Sequence, residues 1–299
     1  MDRLDLIAAF VAVAEDGSFI GAARKLGRSP ASISRAVAAL EEQYAVQLLT
    51  RTTRAVSLTD AGERYLDQAK RFLTEYDQLE EAIQGERAVP KGVLTIAAPV
   101  VFGRLHVLPI VTSFLVEHPL VEVDLMLFDR VASYVDEGVD LGLRIGALPD
   151  SSFKATRVGA LRRVYCASPD YLARNGEPES LADLDRHAII IVTGSSVPQG
   201  EWLSGRGGLR RTSRLTVNSV DAAIDAACAG VGVARLLSYQ IEAAEKRGLL
   251  KQILCEHASA PIPIHIVRPA GRHPALATAL FIEKATGELR ARFDGGETD

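Results

Sequence analysis

Residues 17–44 read GSFIGAARKLGRSPASISRAVAALEEQY, two helical runs separated by a glycine. Ser18 follows Gly17 and can cap a short helix running from Phe19 to Leu26. Its Ala22 and Ala23 are small enough to let another helix cross closely, and Gly27 ends it. Ser29 and Pro30 then read as N-cap and first helical position: the hydroxyl satisfies a free backbone N–H, and proline has none to lose. A third helix follows from Pro30 to about Tyr44. Two helices joined by a glycine-containing turn make a helix-turn-helix, here about residues 19–38. Ser32, Ser34 and Arg35 stand near the start of its second helix, where side chains reach a DNA groove.

The flanking sequence extends this unit. Leu4, Ile7, Val11 and Ala14, with Phe10 beside them, keep the spacing of a helix that buries one stripe. From Val46 to Leu58 a β-rich stretch around Arg51–Arg54 suits a hairpin wing. Between Gly17 and Leu58 six basic residues (Arg24, Lys25, Arg28, Arg35, Arg51, Arg54) face two acidic ones (Glu41, Glu42), inside a chain whose net charge is -4. That local excess is expected to face phosphate, whereas the whole chain is no general polyanion binder. From Thr59 a long helix is signalled by a cap residue and by Tyr65, Ala69, Phe72, Tyr76, Leu79 and Ile83, which alternate four- and three-residue steps as a heptad seam. The seam predicts dimerisation; a stripe packed on its own domain is the alternative. Eight acidic against four basic residues from Thr59 to Ala88 keep this helix off DNA. Residues 85–92, with Pro90, read as a hinge.

Beyond Lys91 apolar β-type runs alternate with helical ones: Val93 to Ala98, Val121 to Phe128, Leu141 to Ile145, Arg163 to Ala167, Ala188 to Val192, Val231 to Leu236 and Ile262 to Val267. This predicts an α/β region with mostly parallel strands, closed by a helix from Pro274 to about Arg292. At 299 residues, 47% apolar and 24% charged, the chain has room for about two folded domains and is neither disordered nor low-complexity. Its longest stretch free of Asp, Glu, Lys and Arg is His187 to Gly200, too short to span a membrane, so a cytoplasmic protein without membrane association is expected. Cys166, Cys228 and Cys255 have neither disulfide nor CxxC spacing, and Cys166 and Cys228 read as buried thiols. The six histidines never pair at i, i+4, so no metal site is expected and surface or loop positions are anticipated for them. Ser151 to Lys154 matches SxxK without the companion motifs, and Gly230 and Gly232 follow a helix where a dinucleotide loop would precede one. No catalytic residue, metal or cofactor is expected, and the chain does not read as an enzyme.

Residues 4–66, LDLIAAFVAVAEDGSFIGAARKLGRSPASISRAVAALEEQYAVQLLTRTTRAVSLTDAGERYL, closely resemble the N-terminal region of LysR-type transcriptional regulators. The segments GVLTIAAP, DRVASYVDEGVDLGLRIGALPDSS and AGVGVARL look more weakly like that family's effector-binding domain. The resemblance implies a winged helix-turn-helix over residues 1–59 and a linker and dimerisation helix with hinge over 60–90. It implies a periplasmic-binding-protein-like regulatory domain of two α/β subdomains over 91–293, the first about 91–162 and 267–293 and the second about 163–266, with a tail at 294–299. Carried over by position, the DNA-contacting residues are Ser29, Pro30, Ser32, Ser34 and Arg35, with Arg51 and Arg54 in the wing. Arg35 is expected to read a base, since a guanidinium pairs bidentately with guanine, and the serines to bond phosphates. Many relatives have glutamine and proline where this chain has Pro30 and Ala31, so that glutamine's contact is absent here. Expected partners are double-stranded promoter DNA, RNA polymerase, a second or further copies as homodimer or tetramer, and a small organic effector bound between the subdomains. In open α/β sheets ligands bind beyond the carboxyl ends of strands. Pro99, Val100, Phe102, Phe128, Asp129, Arg144, Gly146, Thr193 and Trp202 lie at or past such ends and form the expected effector site. Arg144 would suit a carboxylate, and Phe102, Phe128 and Trp202 apolar or aromatic walls, so an acid or aromatic is the expected class. Two other readings stay open: a binding-protein-like chain whose N-terminal unit serves assembly, and constitutive DNA binding with a vestigial cleft.

Overall fold

The computed structural model describes residues 2–51, 56–84, 89–129, 138–148, 153–193, 213–270 and 274–293. The chain divides into two compact units, Met1–Val89 and Pro90–Asp299.

In the first unit, α1 (Arg3–Asp16), α2 (Phe19–Lys25) and α3 (Pro30–Tyr44) surround Phe10, Ile33, Val37 and Leu40, all essentially inaccessible. Caps set the boundaries as the sequence predicts. The Ser18 hydroxyl accepts from the Ile20 and Gly21 N–H groups, and the Ser29 hydroxyl accepts from Ser32 N–H at 3.2 Å. A two-stranded antiparallel wing follows, β1 (Leu49–Arg51) and β2 (Val56–Leu58). Glu41 has a role its charge alone did not suggest. Its Oε1 accepts the Leu48 and Leu49 N–H groups at 2.8 and 3.0 Å, tying α3 to the root of the wing. Then α4 (Asp60–Gln84) begins with the Thr59 hydroxyl accepting the Gly62 N–H at 3.0 Å. Gly62 crosses the wing so closely that a methyl group there would sit 2.0 Å from the Leu48 carbonyl oxygen.

The second unit holds two five-stranded sheets. Sheet one comprises β3 (Gly92–Ala98), β4 (Val121–Leu127), β5 (Leu141–Ile145), β6 (Phe153–Leu161) and β12 (Ile262–Pro269), in the order β4-β3-β5-β12-β6. Sheet two comprises β7 (Arg163–Ala167), β8 (Ile189–Val192), β9 (Ser213–Val217), β10 (Val233–Leu237) and β11 (Lys251–Ile253), in the order β11-β7-β10-β8-β9. Around them lie α5 (Val100–Glu117), α6 (Pro169–Asn175), α7 (Val220–Cys228), α8 (Ser238–Lys246) and α9 (Leu276–Phe293). The strands are mostly parallel, as the alternation predicts, with one reversed strand in each sheet: β3 runs parallel to β4 and β5, and β8 to β9 and β10, whereas β12 and β7 run antiparallel to both their neighbours. The reversed strands adjoin the two places where the chain passes between sheets. It leaves sheet one after Leu161 and returns at Ile262, earlier than residue 267. These crossings are fastened side by side: Arg163 N–H donates to the Ser259 hydroxyl at 2.8 Å, and Ser259 N–H to the Arg163 carbonyl at 3.1 Å.

By length and composition α5 passes for a membrane-crossing helix, contrary to the reading that no such segment exists. Val101, Phe102, Val107, Ile110, Val111 and Phe114 on it are core residues of this unit, which accounts for the hydropathy. Phe102 and His106 of α5 meet Tyr239 of α8 and Phe293 of α9, with ring centroids 5.0–5.6 Å apart. His106 is therefore a packed histidine, not a surface one, and its Nε2 is buried with no hydrogen-bond partner among the described residues. Burial first, then the Arg292 charge, hold its imidazole down to about 4, against a smaller opposing effect of Glu242.

Gly62→Ala is expected to destabilise the first unit by about 2 kcal/mol, as overpacking against backbone does, read as a lowered denaturation midpoint in urea. Neutral His106 makes folding pH-dependent. Unfolded chains take up its proton below the ordinary histidine pKa, folded ones only near 4, so stability falls as pH drops between those values. His106→Phe should flatten that part of the stability–pH curve by about 2 kcal/mol, measured by urea unfolding from pH 7 to 4.

Candidate nucleic-acid interface and effector cleft

Helix α3 turns Ile33, Ala36, Val37 and Leu40 inward. Its outward stripe is Ala31, Arg35, Ala38 and Ala39, so one long cation stands among methyl groups that let the helix approach a groove. Arg35 Nε donates to the Ala31 carbonyl one turn back at 3.4 Å, which lays the side chain along the helix. Ser29 and Pro30 are exposed at the helix start, with Ser29 capping, while Ser32 and Ser34 are half-buried. Not all the basic residues point outward for DNA. Lys25 pairs with Glu15 at 3.0 Å and Arg28 with Asp5, and Lys70 also reaches Glu15, at 2.9 Å. Arg24 is exposed and has no ion pair among the described residues. Arg51 ends β1, but its side chain, and Arg54 altogether, lie outside the described residues.

The expected dimerisation seam divides into two. Tyr65 packs edge-on against Phe10 at 5.4 Å and beside Tyr44 at 5.6 Å, and Ala69 is buried. Ala69 belongs to the core of its own unit, and Tyr65 lies half-buried against that core. Phe72, Tyr76 and Leu79 are 49%, 37% and 59% exposed. The side chain of Ile83 lies outside the described residues.

In the second unit the expected effector residues separate into three groups. Pro99 caps α5 without a side-chain hydrogen bond, and the Val100 N–H donates instead to Asp129 Oδ1 at 3.2 Å. Asp221, in the first turn of α7, approaches from the other sheet's layer and pairs with Arg104 at 3.0 Å. Burial raises the Asp129 carboxyl above its ordinary value; the Val100 N–H opposes this and the Asp221 charge adds to it. Burial pushes up the Tyr239 phenol beside them, and both carboxylates contribute. A second group belongs to strand ladders. Arg144 lies within β5 opposite His265, Gly146 N–H donates to the Pro263 carbonyl at 2.9 Å, and Thr193 N–H to the Val217 carbonyl at 2.8 Å. Phe128 packs half-buried against a small cluster of Ala97, Val139 and Val267. Phe102 stands apart, fully buried in the aromatic cluster and no cleft wall, which corrects its placement: Pro99–Gly103 is the first turn of a helix, not a loop. Trp202 lies outside the described residues. Sequence reasoning passed over Arg104, Asp221 and Tyr239. The available signals were a lone cation in an apolar helix and an acid just after the Ser219 cap.

A model of the bacterial regulatory helix-turn-helix protein, lysR family, matches residues 4–63, and one of the LysR substrate binding domain matches residues 87–290. The chain belongs to the LysR family of transcriptional regulators. It is 33% identical to the HTH-type transcriptional regulator YhjC of Escherichia coli K12, over 98% of this chain and all of that one. The HTH-type transcriptional activator TtdR of the same strain is 30% identical, over 84% of this chain and 82% of its own length. Among solved structures, the LysR-type regulator CrgA of Neisseria meningitidis superposes with a TM-score of 0.59 at 28% identity, covering 95% of this chain and 98% of its own. As a LysR regulator the protein binds DNA through its N-terminal unit and carries an effector-binding domain of two α/β subdomains. LysR regulators bind promoter DNA and small-molecule effectors and form oligomers.

Lys25 and Lys70 together overcome the burial that would raise Glu15, and hold it below the ordinary value. The contribution of this pairing is present above the ordinary glutamate pKa and is lost as pH falls through the lowered one. Glu15→Gln should therefore reduce the acid sensitivity of the first unit below pH 5, followed by thermal unfolding across pH 3–7.

Proposed function

We propose that α3 enters the major groove of promoter DNA with Arg35 reading a base edge, and that Ser29, Pro30, Ser32 and Ser34 border the phosphate backbone. The observation that carries this reading is the exposed Ala31–Arg35–Ala38–Ala39 stripe, which offers a single cation on a face without bulk. Arg24 adds a phosphate contact, and Arg51 and Arg54 lay the wing along the backbone. Phe72, Tyr76 and Leu79, spaced on one face of α4, join two chains, and further copies extend the dimer to a tetramer. The protein works in the cytoplasm, away from membranes, by binding and without catalysis.

A small organic effector binds where the strand ends of the two sheets face each other, around Val100, Asp129, Asp221 and Arg104. The described groups there favour a molecule with a hydrogen-bond donor for Asp129. The acid or aromatic expected from Arg144 and Trp202 draws on a residue of the β5–β12 ladder and on one outside the described residues. An effector moves the two subdomains only as far as it binds one arrangement more tightly than the other. The DNA-binding heads, and contact with RNA polymerase, respond to that shift.

Binding to the intergenic DNA beside its own gene, across a salt series, tests this. Wild type should bind tightly with a steep salt dependence, and Arg35→Ala should lose sequence preference at a cost of about 1–3 kcal/mol. Equal preference in mutant and wild type refutes the assignment of Arg35. Leu79→Lys should shift the protein from its oligomer, dimer or tetramer, towards monomer in sedimentation velocity, while leaving its helical circular dichroism unchanged.

A further inference from the structure

Sheet two has two unlike faces. One, with Val164, Cys166, Ile190, Ala234 and Leu236, packs under α7 and α8. The other carries Tyr165, Ala167, Ile189, Val233 and Ile253 against α6. Strand alternation puts Arg163 and Arg235 on this second face, and the antiparallel register sets Arg235 opposite Tyr165 and Leu237 opposite Arg163. The two arginines are therefore diagonal neighbours across a strand pair, a spacing that long side chains bridge. Arg163 is only 6% exposed. The Arg235 guanidinium lies over the Tyr165 ring, 5.3 Å from its centroid, and its Nε is buried with no acceptor among the described residues. Burial, and after it the Arg235 charge, lower Arg163 to about 10, which still leaves it cationic at neutral pH.

Two neighbouring cations in a partly desolvated place repel each other, and an unanswered N–H on a charged group is costlier there than a neutral one. A planar oxyanion lying against the Nε edge of a guanidinium answers both, with two parallel hydrogen bonds. We propose that the Arg163–Arg235 pair on the α6 face of sheet two is a binding site for a small oxyanion, a carboxylate or a phosphate group. It is separate from the cleft around Asp129 and Asp221, whose carboxylates would repel such a ligand. Arg163 keeps contacts of its own; among the described residues the Arg235 Nε–H is the donor left for the ligand. Because Arg163 also fastens the crossings to Ser259, an anion held here braces the junction between the subdomains.

The test uses the full-length protein in chloride buffer, titrated at constant ionic strength with inorganic phosphate and, separately, with acetate, following thermal unfolding. A ligand that binds only the folded state raises Tm saturably, here by about 2–4 °C. A rise with phosphate assigns a phosphate ligand and a rise with acetate a carboxylate. Either supports the site if it disappears in Arg235→Gln and persists in Lys251→Gln, which removes a cation on neighbouring β11. No saturable rise with either ion, or an equal rise in Arg235→Gln, overturns the proposal. Should Arg235→Gln fail to fold, Arg235→Lys keeps the charge without the planar fork, and the anion affinity should fall about tenfold; unchanged affinity overturns the proposal equally.

Discussion

The regulatory unit turns on the contact of Phe102 and His106 with Tyr239 and Phe293. Two of these rings come from the first helix after β3, one from the helix that follows β10, and the last from the end of the closing helix. Residues from both sheets' layers thus share one buried cluster. An ion pair stands at its rim, Arg292 of α9 reaching Glu242 of α8 at 2.9 Å. Aromatic rings in edge-to-face contact tolerate small rotations, whereas an ion pair at the rim is screened and contributes little. The cluster supplies the cohesion between the subdomains, and the surrounding charges tune their relative position.

That arrangement gives the cleft its mechanical sense. Asp129 and Asp221 approach from opposite layers, the first held by the Val100 N–H and the second paired with Arg104. An effector engaging Asp129, as proposed above, would alter the balance of charge at the rim, next to rings that already contact one another. Small changes there become rotations, since a packed cluster has few alternative arrangements.

How much of this was legible in the sequence depended on whether the signal was local. The first three helices were, because Ser18, Ser29, Pro30, Gly17 and Gly27 fix their ends within a few residues. The family resemblance extended this to the whole architecture. The strands β6, β9 and β11 were missed. β6 carries Lys154, Arg157 and Gly159 and is defined by pairing with β12, while β9 and β11 are short edge strands. Parallel or antiparallel direction is likewise a property of distant partners, and so the reversal of β7 and β12 could not be read. Pro99, Val100 and Asp129 stand together just past the strand ends, where the sequence places them. Phe102 was misplaced because a helix starts directly after the strand, and Asp221 was missed because its partner Arg104 is far away in sequence. On α4 a perfect heptad concealed a division between core and surface that only the neighbours Phe10 and Tyr44 determine.

The route of the chain also sets an order of assembly during synthesis. Sheet two is built from one continuous stretch between the crossings and can close as soon as it leaves the ribosome. Sheet one cannot. Its strand β6 pairs only with β12, and β12 also fills the place beside β5, so half the sheet waits for the last part of the chain to emerge. Until then β5 and β6 present open edges, the kind of surface that recruits wrong partners. A ribosome that stops short of Ile262 would release a chain with a finished second subdomain and an unfinished first one, a natural substrate for chaperones and proteases.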